Sequence, residues 1–376
     1  MPQPDFSRFA AAAPFWLSLL LVPLPIIGAV YGGWTIALTP VVGWHLFTVI
    51  DAIKGMNEGN PDTQTPTADL FWYRSITLLW PFVQGGLIFG MLFYLTRQTH
   101  LTNQEVFWII VDLGIVSGTV GIVYAHELMH QKPSAERWLG DILLAMVLYS
   151  HFRSEHLLVH HTYVGTPKDA VTARYNEGFW RYFLRVLRHC LPSAFAAEKR
   201  MLARRNLPWW AARNPFWRYA ALQLVMLGTA LVIGGRSGVL LFAGQAFVAV
   251  LLLEVTNYVE HYGLTRRHLG DGKYEHVKPH HSWNASHTGT NWLLINLQRH
   301  SDHHYKPDRR FPLLQTYPES EAPQLPFGYT VMGLAAFVPP LWRRWMNPKV
   351  RAWRRQYYPD ITDWSAYKAG TTPMPR

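Results

Sequence analysis

Cysteine and charge are both scarce in this 376-residue chain. The single cysteine, Cys190, excludes an intrachain disulfide and a cysteine-ligated zinc or iron–sulfur site made by this chain alone. Charged residues make up 16 % of the chain, against about 25 % in an average soluble domain, and 49 % of the residues are hydrophobic. The sequence also lacks a GxGxxG dinucleotide fingerprint. These absences leave an apolar chain without a thiol-based or dinucleotide-based redox group of its own.

Long apolar segments are what the chain has instead. Six of them, of about 15–20 residues each, are at or slightly below the length that a helix needs to cross roughly 30 Å of hydrocarbon. The predicted spans are residues 15–31, 34–50, 76–95, 106–124, 219–233 and 239–258. They form three successive pairs with short turns, which favours membrane helices over buried helices of a large soluble protein. No clear small-residue cleavage site follows residues 15–31, so we expect a retained span rather than a signal peptide.

Basic residues give the expected orientation. The two short turns that contain Arg97 and Arg236 hold one arginine each, whereas the segment between the fourth and fifth spans is rich in lysine and arginine. The positive-inside rule places that segment and both termini in the cytoplasm. Basic loops beside spans account for much of the net charge of +11 and the pI near 9.7, so we expect no nucleic-acid partner. We predict an all-α integral membrane protein with one catalytic domain over residues 1–376, whose cytoplasmic helical cap comprises 125–218 and 259–376.

The clustered histidines are the residues that indicate the chemistry of this chain. Nine of the 18 histidines lie in three clusters and one single site, each near the end of an apolar segment or in the polar segment that follows. They are His126, His130, His156, His160, His161, His261, His300, His303 and His304. Spacings of three to five residues put imidazoles on one face of a helix. Nine imidazoles are too many for one metal but suit two, so the sequence predicts a dinuclear centre at a membrane–water boundary.

The chemistry of that centre has two interpretations at this point. HELMH at 126–130, taken alone, is typical of a zinc metalloprotease with Glu127 as the base. Such a site needs only one further protein ligand, however, and seven clustered histidines would be left over. Neutral imidazole suits iron, zinc and copper alike, and ligands beside an apolar bundle favour redox chemistry on a lipophilic substrate. Four acidic neighbours are expected to orient imidazole N–H groups, unless they are plain surface charges: Glu127, Glu155, Glu260 and Asp302.

Three histidine boxes resemble a known family. HELMH, EHLLVHH at 155–161 and LQRHSDHH at 297–304 are similar to the boxes of integral-membrane fatty-acid desaturases and hydrocarbon hydroxylases. NYVEHYG at 257–263 and DGKYEHVKPHHSWNASH at 271–287 resemble the branch of bacterial alkane monooxygenases and xylene-type methyl hydroxylases. The resemblance extends from the second span to about Pro348. Val159 departs from the glycine that is frequent in the second box, and we expect only a packing consequence.

The resemblance implies a non-haem di-iron enzyme in the bacterial inner membrane, with its active site on the cytoplasmic side. Family members insert one oxygen atom of O2 into a terminal C–H bond of an n-alkane and take electrons from rubredoxin, which an NADH-dependent reductase reduces. This chain has no redox group to supply electrons, so we expect a separate donor or a further domain. The alternatives are a sister hydroxylase of methylarenes, a desaturase, and a metal transporter with a histidine-rich site.

Three further sets of residues give weaker predictions. His280, His281 and His287 form a fourth cluster that we expect to support the metal ligands or to contact the electron donor, the alternative being that one of them binds metal. His45 and His100 are expected to be structural or interfacial. Six glycines of the third and fourth spans either leave room for a lipid-like substrate or allow close helix packing: Gly85, Gly86, Gly90, Gly114, Gly118 and Gly121.

Overall fold

Helices form most of the computed structural model, which describes residues 8–364. In chain order they are α1 (Phe9–Tyr31), α2 (Gly33–Lys54), α3 (Thr67–Leu95), α4 (Asn103–His130), α5 (Ser134–Met146), α6 (Phe152–Glu155, continued by His156–His160 and His161–Tyr163), α7 (Phe179–Ala203), α8 (Pro215–His261), α9 (Thr288–Leu293), α10 (His300–Tyr305), α11 (Tyr329–Ala336) and α12 (Pro339–Tyr357). Single 3-10 turns lie at Pro279–His281 and Phe311–Leu313. The ends of the predicted domain, residues 1–7 and 365–376, lie outside the described range.

Five helices within residues 8–364 are long and apolar enough to cross a membrane, where the sequence predicts six spans. They are α1, α2, α3, α4 and α8. The difference lies in α8, whose 47 residues include both of the last two predicted spans. Gly235 interrupts α8 with φ 60° and ψ −146°, a backbone conformation that glycine adopts without strain. A Cβ atom on Gly238 would lie 2.3 Å from the carbonyl oxygen of Ala230, so the two halves of α8 approach closely beside this break.

The all-α prediction is wrong at one place in the cap. Strands β1 (His268–Gly270) and β2 (Lys273–Tyr274) form an antiparallel hairpin, in which His268 pairs with Tyr274 and Gly270 with Lys273. The turn residues Asp271 and Gly272 have positive φ angles of 49° and 68°. An Asp-Gly turn with both φ angles positive matches the twist of a two-residue hairpin, which is the physical reason for the strands.

Helix α4 positions the first histidine box. It begins at a capping box, in which Thr102 and Glu105 bind each other's backbone N–H groups. Three glycines then let α4 pack closely against its neighbours. A Cβ on Gly114 would lie 2.4 Å from Val248, on Gly118 it would lie 3.0 Å from Ala249, and on Gly121 it would lie 1.9 Å from Gln84. Close helix packing, one of the two roles that the sequence suggests for these glycines, is therefore a role of all three.

Candidate metal centre

Four helices deliver the nine predicted histidines to one buried region. His126 and His130 lie at the end of α4, and His261 is the last residue of α8. The second box lies on α6, whose residues His156–His160 are π-helical, and the third box forms α10. A second π-helical turn, Ser117–Ile122, precedes the histidines of α4. Because a π turn changes the angle at which later side chains leave the helix, these turns help to aim the histidines inward; such turns are frequent at functional sites.

The imidazoles form two groups that could each hold a metal ion. Within each group, the four ligand nitrogens lie within 4.8 Å of one another. The first histidine group comprises His126, His130, His156 and His303. The second histidine group comprises His160, His261, His300 and His304. Both groups draw on α6 and α10, whereas α4 serves only the first and α8 serves only the second.

The ninth histidine, His161, lies between the two groups. Its Nε2 atom lies 2.9 Å from Nε2 of His156 and 3.1 Å from Nε2 of His303, both in the first group. Its ring centroid lies 4.6 Å from that of His304 in the second group. Distance therefore assigns His161 to the first group as a fifth nitrogen, at the boundary with the second.

The separations between the nitrogens fit a shared cation. Nε2 of His126 lies 2.9 Å from Nε2 of His156, and Nε2 of His300 lies 3.0 Å from those of both His261 and His304. An Nε2 atom carries at most one proton and can donate only one hydrogen bond. Hydrogen bonds alone therefore explain these successive short N···N contacts poorly. Two imidazoles bound at 2.0–2.1 Å would be about 2.9 Å apart at a right angle and about 3.3 Å apart at a tetrahedral angle. The observed separations of 2.9–3.1 Å therefore fit nitrogens that share one cation.

Burial keeps these imidazoles in the form that binds metals. Desolvation, followed by the neighbouring histidines, holds the pKa of His156, His300 and His303 well below the ordinary value of 6.5. Neutral imidazole has a free lone pair for a metal. Nε2 atoms of His130 and His160 are buried and have no hydrogen-bond partner among residues 8–364. The donor set is therefore suited to cations.

Carboxylates contact two of the imidazoles from the side away from the groups. Oδ2 of Asp169 lies 2.9 Å from Nδ1 of His160, in a hydrogen bond. Oε1 of Glu260 lies 3.3 Å from Nδ1 of His300, but these two atoms do not form a hydrogen bond. Asp169 is itself held by Thr172, whose hydroxyl donates to Oδ2 at 2.7 Å. Sequence reasoning named Glu260 but missed Asp169, because Asp169 lies nine residues beyond His160 in a loop without periodicity. A carboxylate on Nδ1–H leaves Nε2 of the same ring free for a metal.

The other three predicted acidic residues lie elsewhere. Glu127 accepts a hydrogen bond from Gln131 at 2.9 Å. Asp302 accepts from Arg309 and from the Tyr317 hydroxyl, so it joins α10 to the following loop. Neither is therefore the plain solvent-facing charge of the alternative interpretation.

Glu155 is buried beside the second histidine box. Its two oxygens have no hydrogen-bond partner among the described residues. Desolvation, with help from nearby Asp169 and Glu254, raises its pKa well above the ordinary carboxyl value.

The fourth histidine cluster does not join the two groups. Ligand atoms of Glu275, His280 and His281 lie within 4.8 Å of one another and form a third, smaller group. Nδ1 of His281 accepts the backbone N–H of Lys278 at 2.9 Å, so Nε2 carries the ring proton and faces the Tyr358 hydroxyl at 2.8 Å. This cluster is better described as a hydrogen-bonded tie between the β-hairpin region and the end of α12.

The three remaining histidines of interest lie apart from the two groups. His287 forms an isolated β-bridge with Met56. His100 contacts the carbonyl oxygen of Ala29 at 3.1 Å, and His45 is exposed on α2. A structural or interfacial role stays a prediction for His45 and His100, as does a supporting or donor-contacting role for His287.

Two apolar cavities lead to the histidines and share Gly118, Val123 and Thr256. The inner cavity is lined by Ile122, Phe152, Leu253, Leu297 and by three histidines, His126, His156 and His300. The outer cavity is lined by Trp44, Leu252, Val255, Leu294, Leu334 and Phe337 among others. Gly118 thus contributes to a cavity as well as to packing, while a Cβ on Gly86 or Gly90 would contact nothing within 4 Å. Together the two adjoining cavities form a corridor with mostly apolar walls, whose polar members include Thr119 and Thr330 in the outer cavity and Asn257 and Glu260 in the inner one.

Comparison with known proteins places this chain among membrane oxygenases. The sequence profile of the family described as fatty acid desaturase matches residues 105–336. Alkane 1-monooxygenase 2 of Pseudomonas aeruginosa is 38 % identical over 93 % of this chain and 94 % of its own length. Alkane 1-monooxygenase 2 of Alcanivorax borkumensis is 38 % identical over 82 % of this chain and 81 % of its own length. The hydroxylase component of the xylene/toluene monooxygenase of Pseudomonas putida is 27 % identical over 91 % of this chain and 90 % of its own length. These matches confirm the resemblance of the histidine boxes: the chain belongs to the fatty acid desaturase family and, within it, to the alkane 1-monooxygenases.

Proposed function

We propose that this chain hydroxylates the terminal carbon of n-alkanes with O2, giving 1-alkanols, at a centre of two iron ions. The observation that carries the proposal is the convergence of nine imidazoles at the inner end of an apolar corridor. Identity of 34–39 % with several alkane 1-monooxygenases supports the same activity. A hydrolase of the HELMH type would leave most of these imidazoles without a role.

The ligands divide between two ions in this proposal. One ion is held by the first histidine group with His161, and the other is held by the second histidine group. The five nitrogens of the first group with His161 exceed the four ligands of a tetrahedral zinc site, which supports iron. Iron bound there supplies the redox chemistry that activates O2. Asp169 fixes the ring orientation of His160 and keeps the Nε2 atom of this ring directed at the ion.

The corridor binds and orients the substrate. An alkane gains about 0.8 kcal/mol for each methylene that it buries, so an apolar corridor binds it without any polar group. Val123 and Leu253 form walls that align the chain, and its terminal methyl group points at the inner cavity beside His126 and His300. Apolar walls also exclude water from the reacting carbon.

The reaction needs electrons and protons from outside the corridor. One atom of O2 enters the C–H bond and the other leaves as water, which consumes two electrons and two protons. The chain has no cysteine set or dinucleotide fingerprint, so we propose rubredoxin and its NADH-dependent reductase as the electron supply. The protein is proposed to lie in the bacterial inner membrane with the two histidine groups on the cytoplasmic side.

Six membrane crossings fit this arrangement. In the proposal the two halves of α8, separated at Gly235, cross the bilayer in opposite directions. The ends of α4 and α8 that carry His130 and His261 then lie on one side. Residues 125–218 and 259–376 form the cytoplasmic cap of a single catalytic domain in this topology.

The test is a reconstituted assay with two measurements. Membranes containing the protein are incubated with octane, NADH, rubredoxin and its reductase, and the products are analysed by gas chromatography, while purified protein is analysed for metals. We expect 1-octanol and two irons per chain. One zinc and no iron per chain would overturn the proposal and return the hydrolase interpretation.

One alternative substrate class is favoured by a specific observation. The xylene/toluene hydroxylase component matches over 91 % of this chain, although at lower identity than the alkane enzymes. Hydroxylation of p-xylene without hydroxylation of octane would select this sister activity. A desaturase would give an alkene instead of an alcohol, and a metal transporter would give neither product.

A further inference from the structure

Helix α7 has three distinct faces along its 25 residues. One face is buried against α8: the Tyr182 hydroxyl donates to Glu254 at 3.3 Å, and the ring centroid of Phe183 lies 6.1 Å from that of Phe247. A second face is apolar but exposed, and it comprises Trp180, Leu184, Leu187 and Leu191, each 40–56 % exposed. These four residues are spaced by three or four positions, so they form one stripe along the helix. An exposed stripe of large apolar residues on a long helix needs an apolar partner.

The third face of α7 is cationic. Arg181, Arg188 and Lys199 are exposed, and at 100° per residue they lie roughly 90° around the helix from the leucine stripe. Around the helix, the face packed against α8 is thus followed by the exposed apolar stripe and then by the cationic face. A helix that lies at the edge of a bundle, in the plane of the membrane surface, meets these three environments: the bundle beside it, acyl chains below it and headgroups above it.

The apolar stripe continues onto a surface that the proposed topology exposes to lipid. Phe247 lies on the membrane-crossing half of α8, and its side chain is 56 % exposed. Phe183, its partner on α7, directly precedes Leu184 of the stripe. Three exposed tryptophans lie between the end of α7 and the first turn of α8, namely Trp209, Trp210 and Trp217. Exposed tryptophans are typical of the boundary between acyl chains and headgroups.

We propose that α7 lies in the cytoplasmic interface of the bilayer, with the leucine stripe among acyl chains and the cationic face among anionic headgroups. This inference rests on the membrane insertion proposed above and concerns a helix without metal ligands. The helix also reaches the metal centre indirectly, because Ser154, two residues before His156, donates to Glu198 of α7 at 2.5 Å. The lipid surface thus supports the helix that braces the second histidine box.

The test uses single cysteines in full-length protein reconstituted into liposomes that contain an anionic phospholipid. Cys190 is 2 % exposed, and replacing it with alanine gives a parent without a reactive thiol. Leu187→Cys places a fluorophore on the stripe, Arg188→Cys places it on the cationic face, and Phe247→Cys is the reference on α8. Quenching by a nitroxide-labelled phospholipid and by aqueous iodide is measured for each label.

We expect the nitroxide lipid to quench position 187 as strongly as position 247, and iodide to quench position 188 several-fold more than position 187. Equal behaviour of 187 and 188 would overturn the proposal, as would protection of 187 from both quenchers, which indicates a second copy of the chain or another protein on the stripe. Lipid quenching at 247 without lipid quenching at 187 would overturn this inference and leave membrane insertion intact. Failure of lipid quenching at 247 would overturn membrane insertion itself.

Discussion

Asp169 illustrates how one side chain outside the histidine boxes can control a ligand inside them. Its carboxylate faces Nδ1 of His160 at 2.9 Å and is 3 % exposed, so no water competes easily for this contact. Thr172 and the backbone N–H of Val171 hold the carboxylate in place from the other side. A neutral amide at this position would lose the charge that stabilises the Nδ1–H tautomer of the ring.

Asp169→Asn is therefore expected to lower iron affinity or turnover by about 10–100-fold, the usual cost of losing such a partner. Iron per chain and octane turnover are measured on the same preparation. Asp271→Asn is the matched control, because Asp271 lies in the hairpin turn, where asparagine is also tolerated. Wild-type iron content and turnover in Asp169→Asn would show that the contact with His160 is dispensable.

Substitutions of His261 and of His280 should differ in their effect on bound iron. His261→Ala removes a nitrogen of the second histidine group, so we expect loss of bound iron and of turnover in a protein that still inserts into membranes. His280→Ala removes a ring that stacks on Tyr357 at 4.3 Å, and we expect it to retain iron. Metal analysis and octane assays check both variants. Full activity of His261→Ala would remove this residue from the ligand set.

At the scale of helices, regular spacing in the sequence was enough to predict which histidines share a helix. Spacings of three to five residues are enough to group the histidines of α4, α6 and α10. Sequence reasoning missed Asp169 because the loop after α6 has no repeat, and it missed the β-hairpin although Asp271-Gly272 is a recognised turn signal. Spacing alone also could not divide the nine histidines into groups, because each group combines residues of three helices that meet only in the folded chain.

The contact between α4 and α8 predicts a large effect from one small residue. Gly114→Leu would place side-chain atoms where Val248 and the carbonyl oxygen of Gln245 now lie, 2.4 and 2.8 Å from the new Cβ. Overpacking of this kind costs about 1–3 kcal/mol, so we expect a lower unfolding temperature in detergent. Gly86→Leu is the control, because a Cβ there contacts nothing within 4 Å. Equal unfolding temperatures for the two variants would show that α4 and α8 can move apart without a measurable loss of stability.

For the whole molecule, the net charge of +11 suggests how an electron donor approaches. Rubredoxins tend to be acidic, so attraction to the basic surface that is proposed to face the cytoplasm should speed association. Not every basic residue near the boxes is available for this purpose. Arg153 is mostly buried in an ion pair with Asp141 at 2.6 Å, whereas Lys132 forms a longer ion pair with Asp308 at 3.4 Å and its side chain is 87 % exposed.

Salt should therefore act on the donor and not on the alkane. Exposed charges are screened over a Debye length of about 8 Å in physiological salt, so the KM for rubredoxin should rise between roughly 0.05 and 0.5 M salt. Lys132→Glu should raise the same KM at low salt and leave the KM for octane unchanged. Arg236→Glu, an equal charge change in the predicted outer turn, is the control. A salt-independent KM for rubredoxin, unchanged in Lys132→Glu, would assign these charges to topology and lipid contact alone.

The sharing of α6 and α10 between the two histidine groups has a consequence for how the enzyme matures. His156 and His160 lie one turn apart on α6 yet belong to different groups, and the adjacent His303 and His304 of α10 are divided in the same way. An ion bound in one group would hold both helices in place and thereby stabilise most of the other group. Assembly is then expected to be cooperative, so that chains are found either empty or complete, and a half-metallated form is the rarest species in the cell.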